Sequence, residues 1–166
     1  MRKISIVLAL SAFVVAPAHA AKSCQSPGTP SENITLVKGF YEAFNTPSKP
    51  MLDGILADDW VDVPLAPGQG PGREGMKGAL DGLLASFPDF HVKNEDFIAA
   101  GDKVVVRSII TATQRGAFAG VPATGKPLKI MAIDIHQICN GRVLQTWHLE
   151  DWLSALFQIG AMPPEL

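Results

Sequence analysis

The chain has 166 residues, of which 47% are hydrophobic, and a formal net charge of −2. This length predicts one ordinary domain with enough apolar side chains to bury a core. The slight excess of acidic residues disfavours nucleic acid or an anionic membrane surface as a partner. There are two cysteines and no CxxC or HxxxH spacing, so we expect no metal site. No GxGxxG, Walker or GxSxG sequence occurs either.

The N-terminus has the pattern of a secretory signal peptide. Two basic residues precede an apolar run over residues 4–15, which is too short to span a bilayer. Ala18-His19-Ala20 follows this run as an A-x-A cleavage site. We therefore predict a signal peptide over residues 1–20, cleaved after Ala20.

Cleavage would leave a short lead-in and one domain. Residues 21–30 contain Ser, Pro and Gly without periodicity and are expected to form a flexible tail, so the domain spans residues 31–166. The mature protein is expected to be soluble and either periplasmic or secreted. In such a compartment Cys24 and Cys139 can form a disulfide, and two unpaired thiols are the alternative.

The first half of the domain is predicted to be mainly helical. Apolar residues recur at helical spacing over residues 31–45, with Ser31 as the N-cap, and again over residues 73–87. A short helix over residues 49–57 and a brief strand over residues 60–64 lie between them. The loop at 64–72, rich in Pro and Gly, either rims a pocket or is a plain connection.

The second half of the domain is predicted to be mainly strands. They cover residues 90–100, 103–115, 126–139 and 142–150, and are separated by Gly- and Pro-containing turns. A final helix follows over residues 152–159, with Asp151 as its N-cap. Helices followed by consecutive strands predict the α+β class, with the helices against one face of a curved antiparallel sheet.

The Asn140-Gly141 turn decides which residues share a face of this sheet, because a shift of one residue sends every side chain to the other face. A two-residue loop would place Asp134 opposite Trp147. A three-residue loop, with Gly141 as a bulge, would place Asp134 diagonal to His148. We predict the three-residue loop because it separates polar from apolar side chains. In it the Asp134 carboxylate and the His148 imidazole could touch.

In that register the two strands have one apolar and one polar face. The apolar face carries Met131, Ile133, Ile135, Val143, Trp147 and Leu149. The polar face carries Ala132, Asp134, His136, Leu144, Thr146 and His148. If helices cover the polar face, the apolar face is exposed unless a second copy covers it, so we expect a homodimer.

Several segments resemble one known family. They are Gly101-Asp102-Lys103-Val104-Val105, Gly116-x-Phe118-x-Gly120-Val121-Pro122-Ala123-Thr124-Gly125-Lys126, Asn140-Gly141-Arg142-Val143 and Trp147-His148-x-x-Asp151. Over about residues 31–160 the chain resembles the SnoaL-like polyketide cyclase or ester cyclase branch of the nuclear transport factor 2-like fold. The resemblance implies a cone-shaped α+β barrel around a pocket, commonly in a dimer or tetramer.

The resemblance also implies acid/base chemistry without a cofactor. In the characterised cyclases an Asp on the strand after the hairpin is the general acid/base of an intramolecular aldol closure, with a His on the preceding strand nearby. On this chain the two positions fall on His148 and Asp134, so the residue types are exchanged. An Asn of the cyclase pocket corresponds to Asp62.

We therefore predict His148 as the acid/base and Asp134 as the residue that holds its tautomer. The candidate substrate-binding residues are Asp62, His136, Trp60 and Phe118. The expected function is cofactor-free cyclisation, isomerisation or hydration of a small, largely apolar carbonyl compound. One alternative is a periplasmic protein that binds a small molecule without converting it. Another, a protein that only assembles with partners, would require a core without a cavity.

Overall fold

The computed structural model describes Cys24 and residues 26–162, so the predicted signal peptide and four of the ten tail residues lie outside the described residues. Four helices and five strands follow one another in these residues. They are α1 (Pro30–Asn45), α2 (Lys49–Ile55), β1 (Leu56–Val63), α3 (Gly72–Ser86), β2 (His91–Ala100), β3 (Lys103–Thr113), β4 (Pro127–Cys139), β5 (Arg142–Glu150) and α4 (Trp152–Ile159). None of these helices combines the length and the apolar character needed to cross a membrane.

Helix α1 begins earlier than Ser31, because Thr29 and Glu32 form a capping box. The Thr29 hydroxyl accepts from the Glu32 backbone N–H, and the Glu32 carboxylate accepts from the Thr29 N–H. At the other end of the chain, the Asp151 carboxylate accepts from the Ser154 N–H and caps α4, as predicted. Gly160 ends α4 in the left-handed conformation that glycine adopts without strain.

The five strands form one sheet in the order β1-β5-β4-β3-β2. The α+β class is confirmed, and so is the antiparallel run from β2 to β5. Strand β1 pairs with β5 in parallel, so the sheet is mixed, although mostly antiparallel. This pairing brings the end of β1 and the loop that follows it next to β5, where His148 lies.

The turn between β4 and β5 has two residues, so the predicted three-residue loop is wrong. Asn140 and Gly141 both have positive φ, of 52° and 68°, which is the requirement of a type I′ turn. A bulge at Leu144 then adds one residue to β5, and beyond it Asp134 pairs directly with His148. The prediction that Asp134 and His148 lie on the same face of the sheet is therefore correct. The bulge at Leu144, and not a three-residue loop, places them there.

The bulge also changes one face assignment. Val143 was predicted on the outer, apolar face, but it lies on the inner side and is fully buried, because only the residues after Leu144 follow the predicted alternation. The core lies between the helices and this inner face. Its largest fully buried apolar side chains are Trp60, Phe87, Leu52, Leu56, Leu80 and Ile138. On the outer face Met131, Ile133 and Leu149 are exposed, as predicted.

A disulfide joins Cys24 to Cys139 across 115 residues of sequence. It connects the segment before α1 to the end of β4, next to the Asn140-Gly141 turn. Of the two states that the sequence allows, the structure therefore contains the disulfide.

Candidate active site

A cavity of about 160 Å³ lies between helices α1 and α3 and the inner face of the sheet. This is about the volume of an apolar protein cavity that holds benzene. Its apolar part is lined by Phe40, Phe44, Met76, Leu80, Leu83, Phe90, Ile110 and Trp152. Its polar part is lined by Tyr41, Asp62, Gln69, Asp134, Thr146, His148 and Glu150. Because Ala66 and Gln69 also line it, the loop after β1 borders the cavity.

His148 stands at the polar end with both ring nitrogens occupied. Nδ1 lies 2.9 Å from Oε1 of Glu150, and Nε2 lies 2.8 Å from the Pro64 carbonyl oxygen and 3.2 Å from Oδ1 of Asp62. All three partners are acceptors, so the imidazole donates at both nitrogens and is an imidazolium.

The charge of His148 is consistent with its surroundings. Burial on its own would lower the pKa of His148, but the carboxylates of Asp62 and Glu150 beside its ring raise that pKa to about 11. A hydrogen bond from a further side chain holds each carboxylate in place. The Gln69 amide donates to Asp62, and the Trp152 indole donates to Glu150. The ring is therefore held between two anchored carboxylates.

Asp134 faces the same end of the cavity from β4. The Tyr41 hydroxyl donates to Oδ2 at 2.5 Å, and within the described part of the chain Oδ1 accepts no hydrogen bond. Burial raises the pKa of Asp134 to about 6, and the Tyr41 hydrogen bond opposes part of that rise. The carboxyl group can therefore gain or lose a proton near neutral pH, and Oδ1 is available to a ligand.

His136 is fully buried behind Asp134 and does not line the cavity. Its Nε2 lies 2.9 Å from the Tyr41 hydroxyl. Burial, with a smaller effect of the nearby His148 charge, lowers the pKa of His136 to about 3, so its ring is neutral. Burial and the Asp134 charge raise the pKa of Tyr41 well above its usual value, so the phenol keeps its proton.

A profile of the SnoaL-like polyketide cyclases matches residues 35–159. The chain belongs to this family. The structure of TsrD from Streptomyces laurentii is similar, with a TM-score of 0.75 and 29% identity over 81% of this chain and 99% of that one. IdmH from Streptomyces antibioticus, described as a candidate polyketide cyclase, has a TM-score of 0.68 and 32% identity. The match covers 80% of this chain and 99% of IdmH. No curated protein sequence matches the chain.

A third similar structure, described as a candidate polyketide cyclase from Bacillus cereus, has a TM-score of 0.71 and 25% identity, covering 89% of this chain and all of that one. The family predicted from the loop and hairpin segments is therefore confirmed. The comparisons concern the whole domain and assign no role to individual residues of this SnoaL-like protein.

Three of the six residues predicted for the site of this SnoaL-like protein line the cavity. His148, Asp134 and Asp62 come together at its polar end. The other three, Trp60, His136 and Phe118, do not line it. Phe118 packs against Phe87 and Trp152, with ring centroids 4.9 Å and 5.0 Å away.

The sequence-based prediction missed Tyr41 and Glu150. Tyr41 is the only tyrosine of the chain and lies four residues after Val37 on the buried side of α1. Glu150 lies two residues after His148, so strand alternation alone would have placed it on the same face. Tyr41 offered no such signal, since its partners lie on a strand more than 90 residues away.

Three side chains at this end of the cavity could together hold a metal ion. They are Asp134, His148 and Glu150, and one potential ligand atom from each lies within 4.8 Å of the other two. A metal would have to replace a proton on His148, because metals bind the neutral imidazole. The paired carboxylates hold that proton firmly. The donor set therefore fits a proton better than a divalent cation.

Proposed function

We propose that this SnoaL-like protein is a cofactor-free acid/base catalyst that acts on a small, largely apolar carbonyl compound. In this proposal Asp134 exchanges the proton and His148 is a fixed cation beside it, which reverses the roles predicted from the sequence. The reaction class is proton abstraction next to a carbonyl group, as in aldol-type cyclisation or isomerisation. The cavity volume and its aromatic and aliphatic lining favour a compact, uncharged substrate.

The observation that carries the proposal is the different availability of the two groups. Both nitrogens of His148 already donate to protein oxygens, so this ring has no free position for a substrate proton. Asp134 has one oxygen held by Tyr41 and the other open to the cavity, with a pKa of about 6. A general base is most effective when its pKa is near the working pH.

The proposed step moves one proton and no other atom. Oδ1 of the ionised Asp134 takes a proton from the carbon next to the carbonyl group, and the electron pair left behind forms an enolate. The positive charge of His148 lies within 4.8 Å of Asp134 and stabilises the enolate oxygen. The neutral Asp134 then returns the proton, to the same compound or to the product of ring closure.

Deuterium exchange tests this step without knowledge of the natural substrate. Purified protein would be incubated in D₂O with uncharged carbonyl probes such as cyclohexanone and ethyl acetoacetate, and exchange at the carbon next to the carbonyl group would be followed by NMR. We expect faster exchange than in buffer, with a rate that rises as pH increases through about 6, because the base is the ionised form of Asp134. Asp134→Asn should lower the rate by roughly 10²–10⁴-fold while probe binding persists.

Two outcomes would contradict the proposal. If Asp134→Asn exchanges as fast as the wild type, Asp134 is not the base. If probes bind to the wild type and protect it from thermal unfolding, but no exchange occurs, the protein is the alternative binding module. His91→Asn is the matched control, because His91 is exposed on β2 and does not line the cavity.

We also infer that two copies associate through the outer face of the sheet. Leu149 is 75% exposed and Met131 and Ile133 are 46% and 43% exposed, on the face away from the helices. Apolar side chains grouped in this way favour burial against a second copy. Light scattering should give twice the chain mass, and Leu149→Glu should lower it towards that of a monomer. A monomeric wild type at micromolar concentration would contradict the inference.

Finally, we propose that the protein is exported. The Cys24–Cys139 disulfide supports this, because such bonds persist mainly in oxidising compartments. N-terminal sequencing of protein from the periplasm or the medium should begin at Ala21. An intact Met1 on protein found only in the cytoplasm would count against export.

A further inference from the structure

We propose that Trp60, Thr146 and His136 form a directed hydrogen-bond chain that keeps the Tyr41 hydroxyl donating to Asp134. Tyr41 and the three residues behind it are then positioning residues, which hold Asp134 ready at its open oxygen. This inference rests on the proposed role of Asp134. It concerns four residues that the acid/base step itself does not use.

The direction of the chain begins at Trp60, which is almost fully buried. Its indole N–H can only donate, and it lies 3.1 Å from Oγ1 of Thr146. The Thr146 oxygen therefore accepts from the indole. Its own single proton is free to go to Nδ1 of His136, 3.0 Å away.

The next two contacts follow from the neutral state of His136. A neutral imidazole that accepts at Nδ1 carries its proton at Nε2, and this nitrogen lies 2.9 Å from the Tyr41 oxygen. Tyr41 therefore accepts from His136 and donates its own proton to Oδ2 of Asp134. Every contact then holds one proton, which a buried polar network requires.

The opposite direction leaves the last contact without a proton. If His136 carried its proton at Nδ1, Nε2 would take the Tyr41 proton as acceptor, and two oxygens, one from an ionised carboxylate, would face each other at 2.5 Å. The Thr146 oxygen would also accept from both Trp60 and His136, and the Thr146 hydroxyl proton would lose its acceptor, Nδ1 of His136. The first direction is therefore the stable one while Asp134 is ionised.

The groups that face Asp134 show why its protonation depends on this chain. Tyr41 approaches from α1, Asp62 from β1, His136 from β4, and His148 and Glu150 from β5. The cavity residues from α3 and β3 are apolar and supply no charge. Ser108 of β3 is fully buried beside Tyr41, where its hydrogen bond lowers the pKa of the Tyr41 phenol, and its hydroxyl donates to Asn94 Oδ1 at 3.0 Å. Among the residues that the structure describes, Tyr41 alone donates a hydrogen bond to the Asp134 carboxylate, and a misdirected Tyr41 hydroxyl would leave that carboxylate harder to ionise.

Two NMR measurements on the ligand-free protein test the chain. Long-range ¹H–¹⁵N spectra should show His136 as the neutral Nε2–H tautomer, and ¹³C-aspartate spectra, assigned with Asp134→Asn, give the protonation curve of Asp134. We expect Tyr41→Phe to raise the proton affinity of Asp134 by about tenfold, since it loses its one hydrogen bond. Thr146→Val should raise it by roughly two- to threefold, because His136 then competes for the Tyr41 proton.

Matched variants separate this role from a purely structural one. Thr146→Ser keeps the hydroxyl and should restore both the tautomer and the protonation curve. Ser86→Ala removes a hydroxyl that donates to the Ala117 carbonyl, outside the chain, and should move neither. Loss of stability in Thr146→Val with an unchanged Asp134 curve would overturn the proposal.

The tautomer of the wild type is decisive without any variant, because an Nδ1–H ring in His136 contradicts the chain directly. These results are independent of turnover. If deuterium exchange fails but the tautomer and the curves are as expected, the hydrogen-bond chain stands and the proposed catalysis does not. If exchange depends on Asp134 but His136 is the Nδ1–H tautomer, the catalytic proposal stands and the chain does not.

Discussion

Replacing His148 by Gln should destabilise the fold at neutral pH. The substitution keeps a polar side chain but removes the positive charge between Asp62 and Glu150, whose side chains are only 2% and 19% exposed. Two poorly hydrated carboxylates would then remain without their cation. Breaking a buried ion pair by removing one partner costs about 3–5 kcal/mol. Because Glu150 keeps some contact with water, we expect about 3 kcal/mol, a large part of the roughly 5–15 kcal/mol that stabilises a domain.

The cost should depend on pH in a defined direction. The pKa of His148 is about 11 in the folded chain, above its ordinary 6.5, so its contribution to stability is fully present below pH 6.5 and is lost as pH rises towards 11. The wild type should therefore lose stability between pH 7 and pH 10.5, and His148→Gln should lose less. The gap between the two proteins should narrow over that range.

Urea unfolding followed by tryptophan fluorescence at pH 7, 9 and 10.5 measures this gap. The matched control is His91→Gln, which removes an exposed histidine and should change the free energy of unfolding by less than about 0.5 kcal/mol. Equal stability of His148→Gln and the wild type at pH 7 would refute the buried ion pair. A gap that does not change with pH would refute the charge-based explanation, because a packing defect has no reason to titrate.

Two further predictions concern the backbone and the disulfide. A Cβ at Gly75 would lie 1.7 Å from the Gly70 carbonyl oxygen, so Gly75→Ala should destabilise by at least about 2 kcal/mol in urea unfolding. Gly82→Ala, on the same helix with no atom within 4 Å, should stabilise by about 0.5–1 kcal/mol, and a loss there would contradict the packing of α3. Replacing Cys24 and Cys139 by Ser should cost about 2–5 kcal/mol and make the urea midpoint insensitive to reducing agent. A wild type whose midpoint does not fall on reduction would contradict this pairing.

The sequence by itself determined the elements and their order. Helical spacing of apolar residues located α1 and α3, β-branched runs located the strands, and a neighbouring Asn-Gly pair located the hairpin. These signals depend on residues close together in the chain, so they can be read without the fold. The loop and hairpin segments were sufficient to name the family.

Only the tertiary structure decided how the site is arranged. The bulge at Leu144 set the register, the parallel pairing of β1 brought Asp62 to His148, and the packing of α1 brought Tyr41 to Asp134. Each of these contacts joins elements that are distant in sequence or depends on a bulge that local propensity does not reveal. The protonation states follow from the same contacts, because burial and neighbouring charges move the pKa of His148 and of Asp134 in directions that residue type alone cannot give.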